Sequence, residues 1–230
     1  MTLDPTPFRA AVFDAYGTLF DVHAAVARHA ALVGPEAARL SELWRTKQLE
    51  YTWVLSLSGR YEPFWTLTER ALDHALARCP AVPAAARLPL LEAYRHLDAY
   101  PDAAPALAAL RARGVRLAIL SNGDPAMLEA AADAAGLAGA FDAVLSVEAA
   151  GVFKTDPRAY ALVGERLGVT PEEVLFASSN RWDVAGAAAF GFTPIWINRA
   201  GLPDEYPGLP PAATLRGLDE LAQAFPATNS

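Results

Sequence analysis

Four polar clusters in the 230-residue chain carry side chains that could do chemistry. The first, Asp14-Ala15-Tyr16-Gly17-Thr18, groups a carboxylate, a phenol and a hydroxyl. The others are Ser121-Asn122-Gly123, Lys154 with Tyr160 beyond it, and Ser178-Ser179-Asn180 followed by Asp183. An aspartate is ionised at pH 7 and is a competent nucleophile as it stands. A lysine beside it would hold that charge, and a second aspartate could draw a proton from water. Each residue also has a plainer reading. Asp14 at a strand end is an ordinary turn or cap residue, Ser121-Asn122-Gly123 an ordinary turn and helix cap, Thr18 a turn hydroxyl, and Arg45 a solvated cation or half of an ion pair. Lys154 stands apart because 17 of the 19 basic residues are Arg, so a Lys at this position suggests that a compact ammonium is required. His23, His29, His74 and His96 share no spacing and read as structural or surface residues.

These clusters must be positioned by the elements before them. Apolar runs at Ala10–Phe13, Val115–Leu120, Ala143–Val147, Val174–Ala177 and Thr193–Ile197 read as buried parallel strands. Helical patterns at 101–113, 125–135, 156–167 and 181–190 alternate with them, each followed by a glycine stop at Gly114, Gly136, Gly168 or Gly191. A short strand at Ala213–Leu215 and a helix at Leu218–Phe225 close the pattern. The alternation predicts an α/β fold with a doubly wound parallel sheet, a Rossmann-like core. In such a sheet the binding crevice lies beyond the carboxyl ends of the strands, where all four clusters fall.

Residues 21–96 break the alternation, showing helical pattern and no strand candidate. They are far too many for a βα loop of about two to six residues. The expected organisation is therefore a core of residues 1–20 and 97–230 with a helical cap subdomain at 21–96. The cap holds nine basic and eight acidic residues, which leaves ten against eighteen in the core. A lid of that kind would bring positive charge to a site above the sheet.

Composition removes several function classes. The net charge of −7, with no basic cluster, argues against nucleic acid or an anionic membrane as partner. The lone Cys79 can form no internal disulfide and no cysteine zinc site, so a cytoplasmic location is the default. The N-terminal MTLDPTPFR lacks the apolar core of a signal peptide. The charge-poor run from Val184 to Asn198 is shorter than the roughly 20 residues of a membrane span.

Asp14 with Thr18, Ser121, Lys154 and the 178–183 segment, in that order and with a helical insert after the first, resemble the four motifs of the haloacid dehalogenase superfamily. Its phosphatases use Asp-x-Asp in the first motif and an acidic pair in the fourth to help hold Mg²⁺. Here position 16 is Tyr, and the earlier acidic position of the fourth motif is Ser179. A hard divalent ion would lack a carboxylate while facing a lysine. Metal-assisted phosphoryl transfer is therefore disfavoured, and a Mg²⁺-dependent phosphatase of the same superfamily stands as the alternative reading. The stretches Phe13–Val22, Leu43–Trp53, Arg60-Tyr61 with Phe64-Trp65, Ser121–Gly123 and Ser178–Asp183 resemble instead the L-2-haloacid dehalogenase branch. Thr46, Thr155 and Asp124 depart from that branch's usual Gln, Pro and neutral residue.

The resemblance implies a cofactor-free, metal-independent hydrolase that releases halide from short L-2-haloacids and inverts the carbon. In that reading Asp14 is the nucleophile and forms an ester. Arg45 and Asn122 receive the halide, where fixed donors meet developing charge. Ser121 and the backbone N–H groups after Asp14 hold the substrate carboxylate. Lys154 keeps Asp14 ionised, supported by Thr18, Tyr160 and Ser178. Asp183, with Asn180, activates the water that opens the ester. Tyr16, Leu49, Phe64 and Trp182 wall the pocket. A homodimer is also implied, and Lys47 is left without a role.

Overall fold

The computed structural model describes residues 8–224. Residues 1–7, which carry most of the N-terminal expectation, and Phe225, the expected end of the last helix, lie outside them.

Strand β1 (Ala10–Phe13) is buried at every position, as an uninterrupted apolar run in a sheet covered on both faces should be. Five helices then follow without a strand: α1 (Ala24–Arg28), α2 (Ala30–Val33), α3 (Ala37–Leu57), α4 (Phe64–Arg78) and α5 (Arg87–Arg95). Helix α6 (Ala103–Arg111) leads into β2 (Arg116–Ser121). Alternation resumes with α7 (Pro125–Ala134), β3 (Ala143–Ser146), α8 (Pro157–Leu167), β4 (Val174–Ser178), α9 (Arg181–Phe190) and β5 (Thr193–Ile197). Strand β6 (Ala213–Leu215) and helix α10 (Leu218–Ala224) complete the described chain.

The six strands are all parallel, in the order β3-β2-β1-β4-β5-β6. This is the doubly wound topology expected from the alternation. The chain builds outward from β1 through β2 and β3, then crosses back to place β4 on the other side. Strand order therefore reverses beside β1, where an open parallel sheet forms its crevice. Register makes that crevice specific: Phe13 lies level with Ile119 of β2 and Ala177 of β4, so Asp14 and Ser178 emerge side by side. Left-handed Gly168 and Gly191 end α8 and α9, with φ of 61° and 103°.

The helices between β1 and β2 hold together by their own packing. Leu40, Trp44, Gln48 and Thr52 recur every four residues and make a buried stripe along α3, a helix about 31 Å long. The polar members of the stripe are satisfied. Trp44 Nε1 donates to the Thr68 carbonyl at 2.9 Å, and Gln48 Nε2 to Thr68 Oγ1 at 2.9 Å, which fixes α3 on α4. The chain leaves and re-enters the sheet region at one place. Asp21 N–H donates to the Asp98 carbonyl and Tyr100 N–H to the Leu19 carbonyl, both at 2.9 Å, around an antiparallel bridge of Phe20 with Ala99. Among the described residues no helix is long and apolar enough to cross a membrane.

Candidate active site

The turn after β1 is tight. Leu19 and Phe20 both donate backward to the Ala15 carbonyl at 2.9 and 3.0 Å, and Gly17 takes φ = 96°, a value side chains resist. Among the described residues the N–H groups of Ala15 and Tyr16 have no acceptor, which leaves two backbone donors next to Asp14.

Asp14 is buried, and both of its oxygens are held. Oδ2 accepts from Thr18 Oγ1 at 3.0 Å and from Asn180 Nδ2 at 2.8 Å, while Oδ1 accepts from Lys154 Nζ at 3.1 Å. Thr18 has a fixed direction, because its Oγ1 accepts from Ser179 N–H at 2.8 Å and so turns its own proton to Asp14. Lys154 is 1% exposed and lies between two carboxylates, donating also to Asp183 Oδ2 at 2.8 Å. Tyr160 OH donates to the other Asp183 oxygen at 2.8 Å. The row Asp14, Lys154, Asp183, Tyr160 therefore runs through the floor of the crevice.

One ammonium faces two carboxylates there, and the pKa directions follow from that imbalance. Burial alone would lower Lys154, but Asp14 and then Asp183 more than offset it and its pKa is raised. Burial raises the Asp183 carboxyl to about 6, against the pull of Lys154, and the charge on Asp14 adds to the rise. The surplus negative charge thus falls on Asp183, which is wholly buried, whereas Asp14 has Thr18 and Asn180 as additional donors. Burial, then Tyr94 and Asp124, push the Tyr16 phenol well above its usual value, so it is neutral at pH 7.

The second strand end joins the first through Asn122, whose Oδ1 accepts from the Lys154 backbone N–H at 3.0 Å. That bond orients the carboxamide and leaves its NH₂ for another acceptor. Ser121 Oγ accepts from Gly123 N–H, and Ser178 Oγ from Asn180 N–H, each at 3.1 Å. Arg45 reaches down from α3, donating through Nη2 to the Tyr16 carbonyl at 3.2 Å and to Asn180 Oδ1 at 3.4 Å. It is the one cation that the helical insert brings onto the strand ends among the described residues.

The expected wall residues divide. Tyr16 and Phe64 are both buried, with ring centroids 6.2 Å apart. Leu49 is half-buried one turn beyond Arg45 on α3. Trp182 packs edge-on against Trp53 at 5.6 Å, at the rim of a groove that Lys154 and Thr155 also line, and takes no part in the hydrogen bonds that hold Asp14. Sequence reasoning missed Tyr94, which stacks on Tyr16 at 5.8 Å and 9°, and Phe153, 6.2 Å from Phe64. Neither has a local signal beyond being aromatic. Lys47 is no part of the site, since its Nζ pairs with Glu50 at 2.6 Å within α3. A pair of this kind contributes at most about 1 kcal/mol.

The family model of the haloacid dehalogenase-like hydrolases matches residues 8–191. The chain is similar to (S)-2-haloacid dehalogenase 1 of Pseudomonas sp. (strain CBS-3), at 49% identity over 94% of this chain and 96% of the relative. Its fold is similar to a crystal structure of a dehalogenase, with TM-score 0.94, 46% identity and coverage of 97% and 99%. It is also similar to L-2-haloacid dehalogenase from Xanthobacter autotrophicus with chloropropionic acid covalently bound, at TM-score 0.86, 40% identity and coverage of 94% and 97%. A chain that matches the family model over most of its length, and these enzymes over nearly all of theirs, belongs to the haloacid dehalogenase-like hydrolases, within their (S)-2-haloacid dehalogenase branch.

Proposed function

We propose that the protein hydrolyses short L-2-haloalkanoic acids to D-2-hydroxy acids, releasing halide. The observation that carries this reading is the buried carboxylate of Asp14, held on both oxygens and overlooked by Arg45. An Asp14 oxygen attacks C2, the carbon–halogen bond breaks, and its electron pair leaves with the halide toward Arg45 and the free NH₂ of Asn122. The substrate carboxylate lies on the Ala15 and Tyr16 N–H groups and Ser121. Water then adds to the ester carbonyl as Asp183 takes one of its protons, and the carbonyl re-forms by breaking the bond to the alkoxide oxygen. That oxygen takes the proton back from Asp183 to give the hydroxy acid, and the regenerated Asp14 carboxyl releases its remaining proton to solvent. Ester formation removes the Asp14 charge and leaves Asp183 the sole partner of Lys154. That favours ionised Asp183 at the step that needs a base.

The donor set does not fit Mg²⁺. Tyr16 and Ser179 stand where the phosphatases of the superfamily have carboxylates, and both remaining carboxylates bind an ammonium. We read residues 21–96 as a cap that contributes Arg45, Leu49 and Phe64, a reading supported by the isolated antiparallel bridge of Phe20 with Ala99 that brings its two ends together. The setting we assign is the cytoplasm, from the lone cysteine, and a homodimer, by resemblance.

L-2-chloropropionate with excess EDTA is expected to give chloride and D-lactate in equal amounts by ion chromatography and chiral separation. No chloride, or chloride only after added Mg²⁺, overturns the reading.

A pH dependence follows from the shared ammonium. Below about pH 6 the free enzyme takes a proton onto the carboxylate pair, committing Lys154 wholly to the other carboxylate and weakening the nucleophile. The value of kcat/KM should therefore fall below that point. Hydrolysis of preformed ester should hold to lower pH, because esterified Asp14 no longer raises Asp183. Stopped-flow mixing with acid quench reads both steps, and coincident acid limbs would contradict the assignment.

A further inference from the structure

Asp124 lies outside the machinery assigned above. It precedes Pro125 at the start of α7 with extended backbone, where an aspartate ordinarily caps its own helix, yet it makes no such bond. Its carboxylate turns instead to the helical insert. Oδ1 accepts from Phe64 N–H and Oδ2 from Trp65 N–H, both at 2.7 Å. These are the first two amides of α4, and the residue before them, Pro63, cannot cap the helix with its side chain. Helix α4 thus takes its cap from the core, across 60 positions of sequence, through two short charge-assisted bonds to a side chain that is 9% exposed.

Phe64 is the first residue of α4 and is fully buried, between Tyr16 and Phe153 at 6.2 Å from each. Gly123, next to Asp124, presses on the opposite wall: a Cβ there would lie 2.7 Å from Tyr16 Cε2. The end of β2 and the loop after it therefore present Ser121 and Asn122 to the substrate, set Tyr16 through Gly123, and hold Phe64 through Asp124. We propose that Asp124 is a positioning residue, docking α4 on the loop after β2 so that the Phe64–Tyr16 gap, and with it the size of 2-substituent accepted, is fixed.

The inference rests on the dehalogenase reading. Its test compares the wild type with Asp124→Asn, which keeps the shape and one acceptor, and Asp124→Ala, which keeps neither. Three readouts are taken: kcat/KM on chloroacetate, kcat/KM on L-2-chlorobutyrate, and hydrogen exchange at the Phe64 and Trp65 amides. The alanine variant should raise the chlorobutyrate-to-chloroacetate ratio about fivefold or more, with asparagine in between. The two amides should exchange at least about tenfold faster. A role in stability alone would lower both substrates by one factor, and an unchanged ratio overturns the proposal even if the amides open. Unchanged exchange overturns the docking itself. A wild type inactive on every haloacid would defeat the dehalogenase reading and the specificity role with it, while the exchange data would still judge the docking.

Discussion

Asp14→Asn should cut halide release from L-2-chloropropionate by at least ~10⁴-fold while leaving the fold intact. An amide oxygen at this position is no nucleophile, and nothing else near the strand ends replaces it: Asp183 is occupied by Lys154 and Tyr160. Stability should scarcely change, because the substitution removes one of two buried carboxylates that share one ammonium. The thermal midpoint is expected to move by no more than about 4 °C in either direction. Mass spectrometry supplies the complementary result. Wild type quenched in acid during turnover should carry the mass of a 1-carboxyethyl ester on the peptide containing Asp14, and the Asp14→Asn variant should carry none. Halide release above about 1% of wild type in that variant would remove Asp14 as the nucleophile.

Much of this arrangement is legible in the order of residues, and the reason is periodicity. Strands at 10–13, 193–197 and 213–215 and the helix at 181–190 have the bounds that their apolar runs and turn residues imply. Strand β2 ends one residue later than its apolar run because Ser121 still pairs with Ser146 of β3, a neighbour no local pattern reveals. Long-range contacts separate what is legible from what is not. The rarity of lysine among the arginines flags Lys154, but that it divides itself between Asp14 and Asp183 depends on β1, α9 and its own loop converging. Arg45 has no signal of its own on a helix with ordinary charge spacing, and only the resemblance points to it. Asp124 is the sharper case. Local rules make it the cap of α7, whereas tertiary docking gives it to α4, since an aspartate can satisfy either set of orphan amides and its side-chain rotamer decides between them.

Lys154→Met should damage both stability and activity, and the two losses can be separated. Methionine fills much of the same volume, but the buried Asp14 and Asp183 would face each other without the cation. Removing one partner of a buried pair costs about 3–5 kcal/mol, and here two carboxylates are stranded. One of them must then take a proton near neutral pH. If it falls on Asp14 the nucleophile is lost, and if on Asp183 the base that opens the ester is lost, so steady-state turnover, kcat, should fall by about 10³-fold or more either way. Lys154→Met/Asp183→Asn tests this account. With Asp183 neutral, the lone Asp14 carboxylate retains Thr18 and Asn180 as donors, and Tyr160 can still donate to the amide oxygen. The double variant should therefore recover most of the lost stability by urea titration, giving a coupling of opposite sign to the single losses. Activity should not return, because no group is left to take the proton from water. A double variant no more stable than Lys154→Met would show that the lysine acts through packing rather than by offsetting charge. A Lys154→Met enzyme with near wild-type turnover would remove the ammonium from the reaction altogether.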